Sequence, residues 1–111
     1  TVNRILKRVY IMFQITEDGL RSYRRDRKHN KARQAAVFLI KKMTPFSLSE
    51  IGKIVGRNHS TVHATLKKVG ERMTTDDFFY KQMQALLNEF EEKTYSTGIN
   101  DQKKVADFKK S

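Results

Sequence analysis

Residues 58–67 read Asn-His-Ser-Thr-Val-His-Ala-Thr-Leu-Lys, a run rich in hydrogen-bond donors that contains no carboxylate. On a helix, His59, Ser60, His63 and Lys67 stand at i, i+1, i+4 and i+8 and share one face. The chemistry open to such a face is recognition of polyanions and base edges. The first residues of a recognition helix meet bases in the major groove; here these are Asn58, His59, Ser60 and Thr61. A Thr methyl suits the thymine methyl, and an Asn carboxamide can bond adenine bidentately. Asn58 is equally suited to cap the helix, and one carboxamide cannot fill both roles fully. His59 and His63 also have the spacing of two zinc ligands on one helical turn. A metalloprotease helix needs Glu after the first His, where this chain has Ser60, and it contains no Cys and only one further His. No nucleophile has a base and an orienting partner in sequence, so no catalytic residue, metal ligand or cofactor is assigned.

The elements that must position this face are legible as amphipathic helices. Val2, Ile5, Leu6, Val9, Met12 and Phe13 follow the i, i+3, i+4, i+7 rule. Thr16, with Glu17 and Asp18, caps a short helix ending near Leu20. Residues 21–31 are basic with little apolar but Tyr23 and read as an exposed loop or solvated helix end. Asn30 is a candidate cap for a helix with the stripe Ala32, Ala35, Ala36, Leu39, Ile40 and Met43, stopped near Pro45. Ser47-Leu48-Ser49-Glu50 is a capping-box sequence. Leu48, Ile51, Ile54 and Val55 form the apolar face that follows, and Gly56 suits a left-handed C-terminus. Val62, Leu66, Val69 and Met73 are the buried stripe of the next helix, giving a helix-turn-helix over Ser47 to about Met73. Thr75 then caps a helix with Asp76 and Asp77 in its first turn and Phe79, Met83, Leu86, Leu87 and Phe90 on its core face. The expected fold is all-α: a five-to-six-helix bundle over residues 1–93, with residues 94–111 a loose tail or a marginal helix from about Asp101.

Charge adds a partner class. Over 111 residues the formal net charge is +11, with 23 Lys and Arg against 12 Asp and Glu. The sign is segregated: residues 1–42 hold 12 basic and 3 acidic side chains, whereas residues 73–93 hold 2 and 5. Solubility needs no such segregation, and the field draws phosphate polyanions. Arg24, Arg25, Arg27, Lys28, Lys31 and Arg33 are the main candidates for affinity, and Lys67 lies nearer the rim. The first helix also pairs Arg4, Lys7 and Arg8 with apolar positions, as lipid-surface helices do. Packing of its apolar face on the bundle is the preferred reading, so a membrane partner is not expected. Neither a secretion signal nor an apolar run of about 18 residues occurs. The expected setting is the cytoplasm, at the nucleoid.

Ser47-Leu48-Ser49-Glu50-Ile51-Gly52 followed by Gly56-Arg57-Asn58-His59-Ser60-Thr61-Val62 resembles the C-terminal DNA-binding domain (domain IV) of the bacterial replication initiator DnaA. Arg24-Arg25-Asp26-Arg27 and Ala32-Arg33-Gln34-Ala35 are similar to that family's basic loop and the start of its next helix. The resemblance covers about residues 1–93. It implies a Trp-repressor-like helix-turn-helix that binds short duplex sites, the DnaA boxes. It further implies Arg25 in the minor groove and Arg33 and Gln34 at the DNA backbone. Asn58, His59, Ser60, Thr61 and His63 then face the major groove, and Ser47, Arg57 and Lys67 join Arg24, Arg27, Lys28 and Lys31 at the backbone. Three departures bear on the preferred site. One glycine precedes the arginine where the family usually has two, Asn58 replaces an acidic residue, and His63 stands one position before the family's usual second histidine. The Gly-x-x-x-x-Gly-Lys-Ser/Thr loop of the family's ATPase module does not occur, which fits an excised domain or a free-standing relative. The resemblance implies origin recognition in replication; the oligomeric state is open, with a monomer on asymmetric sites preferred and a dimer on palindromic operators pointing to regulation. Transcriptional regulation through the same helices is an alternative, as is an adaptor whose acidic helix, residues 76–93, docks a replication protein.

Overall fold

The computed structural model describes residues 1–95, the last five as helical backbone. It contains six helices, α1 (Val2–Phe13), α2 (Glu17–Arg21), α3 (Arg27–Met43), α4 (Leu48–Val55), α5 (His59–Thr75) and α6 (Asp77–Tyr95), with no strand among the described residues. The all-α bundle with a helix-turn-helix is therefore observed. The expected tail lies outside the described residues, apart from Thr94 and Tyr95, which continue α6.

α3 is the hub, touching the other five helices. Its central residues Ala32, Ala35, Ala36, Val37, Leu39 and Ile40 are buried almost completely. The alanines let α1 and α5 approach closely, and α1 lays Ile5, Val9 and Phe13 against this surface. α6 closes the other end with Phe79, Met83, Leu86, Leu87 and Phe90, all in the same core cluster. Burying a side chain of this size stabilises by about 1.5–3 kcal/mol, so these stripes fix the relative placement of the helices.

The helix-turn-helix forms as its local residues dictate. The Ser47 Oγ accepts from the Glu50 N–H at 3.1 Å while the Ser47 N–H donates to Glu50 Oε1 at 2.7 Å. These hydrogen bonds hold the Glu50 carboxyl below its ordinary pKa. Ile51 and Val55 are buried, and Gly56 ends α4 at φ 71°, where a Cβ is strained. Gly52 allows the turn to fold back, since a Cβ there would lie 2.3 Å from the Arg57 carbonyl oxygen.

Two boundaries differ from expectation. α3 opens one turn early because Asp26, not Asn30, is its cap, with Asp26 Oδ2 accepting from the His29 N–H at 3.3 Å. Asn30 lies within the helix and donates to the Arg25 carbonyl at 2.9 Å. At α6 the cap is Asp76, accepting from the Phe79 N–H at 3.0 Å, and Thr75 is the last residue of α5. In both places two cap-competent residues compete, and the carboxylate, a stronger acceptor than amide or hydroxyl, takes the helix start.

Candidate nucleic-acid interface

The start of α5 is set by Asn58, whose backbone is extended and whose Oδ1 accepts from the Thr61 N–H at 2.9 Å. Capping is the role observed, and it engages one lone pair of the carboxamide oxygen. Its NH2 group remains a donor. His59, Ser60, Thr61, His63 and Lys67 are all exposed, as the spacing predicts. Val62 and Val69 anchor the opposite side of the helix in the core. The helix start therefore presents unpaired N–H groups and the positive end of the dipole to solvent, a setting that favours anions.

A second ridge of α5, Thr61, Thr65 and Lys68, faces the basic loop. Between them runs a groove of about 350 Å³ lined by Tyr23, Arg25 and Arg57 on the loop side. Tyr23, Thr65 and Lys68 were not among the expected site residues. Spacing from Thr61 by four and seven residues is the signal that would have found the last two.

Three arginines hold the loop in place by donating to backbone carbonyls. Arg33, buried on α3, donates through Nη1 to Leu20 at 3.0 Å and Ser22 at 3.2 Å, and through Nη2 to Arg24. Arg57, in the helix-turn-helix, donates to Arg21 at 3.2 Å and Ser22 at 2.6 Å, and its guanidinium lies 5.4 Å from the Tyr23 ring centroid. Arg21 reaches the other way, to the α4 carbonyls of Lys53 at 2.7 Å and Ile54 at 2.8 Å. Burial, reinforced by neighbouring Arg57 and opposed by Asp26, pushes the Arg33 pKa below its ordinary value.

Several of the expected phosphate ligands have partners within the protein. Arg33 and Gln34 are only 7% and 9% exposed. Gln34 Oε1 accepts from Arg72 Nε at 2.7 Å, inside the α3–α5 contact. Both line the groove, with Arg33 donating to backbone carbonyls and the Gln34 oxygen accepting from Arg72. The Arg57 guanidinium is likewise engaged with carbonyls. Lys31 is turned toward α6, 3.4 Å from Asp76. The Asp76 carboxyl stays below its usual range, chiefly through the Phe79 N–H and secondarily through Lys31 and Arg72. Arg24, Arg25, Arg27 and Lys28 remain exposed, as does Ser47. The Ser47 oxygen accepts the capping bond and leaves its O–H as a donor.

Asp26, beside these cations, is tied to the buried His29 ring, whose Nδ1 lies 2.9 Å from both carboxylate oxygens. That hydrogen bond is the main reason the Asp26 pKa falls to about 2. His59 and His63 do not join a group of three or more His, Asp or Glu suited to a metal ion among the described residues, and no described helix is long and apolar enough to cross a membrane.

The sequence matches the family described as the bacterial dnaA protein helix-turn-helix over residues 2–69. It is 35% identical over 92 residues to the chromosomal replication initiator protein DnaA of Zymomonas mobilis, an alignment covering 82% of this chain and 19% of that protein. It is 36% identical over 88 residues to the proteins of the same name from Rickettsia canadensis and Rickettsia massiliae, covering 78% of this chain and 19% of each. The chain thus spans about one fifth of the length of these relatives.

Proposed function

The chain belongs to the family of bacterial DnaA helix-turn-helix domains, and from that premise we propose that it binds double-stranded DNA sequence-specifically in the initiation of replication. The observation that carries this reading is the exposed start of α5 facing an arginine-bearing loop across an open groove. In this reading α5 enters the major groove, where His59, Ser60, Thr61 and His63 meet base edges and Asn58 contributes its remaining N–H donors. Arg25, exposed at the loop, reaches the neighbouring minor groove. Arg24, Arg27, Lys28, Ser47, Lys67 and Lys68 hold phosphates, with Arg33 and Arg57 shaping the loop behind them. If about five phosphates are neutralised, log K falls against log salt with a slope near −4.5. The act is binding, without a catalytic step, by a monomer on an asymmetric site in the nucleoid-bearing cytoplasm.

Selection of bound sites from a random duplex library tests the proposal. The expected result is enrichment of one short asymmetric motif related to the DnaA box. Recovery of unselected sequence, or binding insensitive to salt, would defeat it.

A further inference from the structure

Arg72, near the end of α5, is held on three sides. Its Nε donates to Gln34 Oε1 at 2.7 Å, its Nη1 donates to Asp76 Oδ2 at 3.2 Å, and its guanidinium carbon lies 5.6 Å from the centroid of the buried Phe79 ring. Asp76 is itself fixed: its Oδ1 accepts from the Phe79 N–H at 3.0 Å, and Lys31 stands 3.4 Å from its Oδ2. Arg72 does not line the groove between α5 and the basic loop, but Gln34 does.

A guanidinium has donors and no acceptor. The Gln34 carboxamide must therefore give Arg72 its oxygen, and its amino group points the other way. Among the described residues nothing accepts from that amino group. Nor is it sealed in, since Gln82 Oε1 is the one fully buried side-chain polar atom without a partner among those residues. Its N–H donors are left to the groove, where Arg25 and Lys68 also stand and which no carboxylate lines. An untethered carboxamide would turn its oxygen toward the groove part of the time, and that oxygen repels an anion. We propose that Arg72 is a positioning residue for DNA binding: it locks the Gln34 carboxamide so that the amino group donates to a backbone phosphate seated in the groove. This rests on the reading of α5 and the basic loop as a duplex-DNA surface, and adds to it a residue that touches no DNA. A phosphate oxygen accepts such donors without regard to sequence, so Arg72 contributes to affinity on every duplex.

The test is a double-mutant cycle on DNA affinity, read by fluorescence anisotropy with a selected duplex and a random one. Arg72→Met keeps the stem and removes the donors, and Gln34→Ala removes the amide. Arg72→Met should weaken binding roughly three- to tenfold on both duplexes, as loss of one hydrogen bond does. In the Gln34→Ala background the same replacement should cost nothing more, which neither a lost charge nor a general loosening of the fold would produce. The slope of log K against log salt should stay that of the parent, because the amide is neutral. Circular dichroism sets a temperature at which every variant is folded. A second measurement needs no variant: the side-chain N–H signals of Gln34 in the parent should move when the selected duplex is added. The proposal is overturned if Arg72→Met binds as the parent does, if its loss is equal in both backgrounds, or if the Gln34 signals stay in place. A slope shallower by about 0.9 in Arg72→Met overturns it by making Arg72 itself a phosphate ligand. A loss confined to the selected duplex overturns it by setting a base against Gln34. Any of these results with parent binding intact defeats this inference alone, whereas a parent that prefers no duplex sequence defeats the DNA reading as well.

Discussion

Replacing Arg33 by Met separates a scaffold arginine from a phosphate ligand. Met keeps most of the apolar stem but removes the donors that reach the carbonyls of Leu20, Ser22 and Arg24. Each carbonyl left without its donor costs about 1–3 kcal/mol, and the relief from no longer burying a guanidinium offsets part of this. Loss of roughly 3 kcal/mol is therefore expected. A domain of this size unfolds with an entropy of about 0.2 kcal/mol/K, so the melting temperature should fall by roughly 15 °C. Below the new transition, DNA affinity should fall on cognate and random duplex alike as the loop loses its shape, with the salt slope almost unchanged. Arg33→Lys should recover little, because one ammonium cannot span three carbonyls set along a curved backbone. Calorimetry and a salt titration of DNA binding decide the matter together. A melting temperature within about 2 °C of the parent, with a salt slope shallower by about 0.9, would refute the scaffold role and return Arg33 to the DNA backbone.

Gly52→Ala should destabilise by about 3 kcal/mol in urea titration, because its Cβ would meet the Arg57 carbonyl at 2.3 Å, against backbone that cannot yield without opening the turn. His59→Ala is expected to cost about 1–3 kcal/mol on a selected site and little on random duplex, measured by fluorescence anisotropy; an equal loss on both would make it a phosphate contact. Asp26 is depressed to about 2 by His29, so its contribution is complete above the unfolded carboxylate value near 4 and is lost as pH falls toward 2. The urea-midpoint gap between the parent and Asp26→Asn should therefore shrink between about pH 4 and pH 2. A gap that widened between about pH 4 and pH 2 would contradict the Asp26–His29 contact.

The apolar stripes, the Ser47–Glu50 box and the left-handed Gly56 were readable in the sequence because each depends on residues within one or two turns. What was not readable lies in contacts between residues far apart. Arg24, Arg25, Arg33 and Arg57 look alike as cations, and only the fold shows that two of them face inward to carbonyls of another segment. His29 was overlooked for the same reason: its burial follows from the close approach of α2, where a Cβ on Gly19 would lie 2.8 Å from its Nε2. Lys31 resembled a phosphate ligand until Asp76 was placed across from it. Competing caps at Asp26 and Asp76 moved two helix starts, a difference that periodicity does not register because the apolar stripes are the same in either case.

The arginine bonds that run from α3 and from the turn into the segment around Ser22 fix the two proposed recognition surfaces like the jaws of a calliper. Such a device measures spacing as well as letters. If His59 reads one part of a target and Arg25 touches another, as proposed, a base pair inserted between the two asks the jaws to open by about 3.4 Å, against the hold of the shared carbonyls. Half of the contacts would then be forfeited at once, so tolerance to altered spacing should be far poorer than tolerance to a single altered letter.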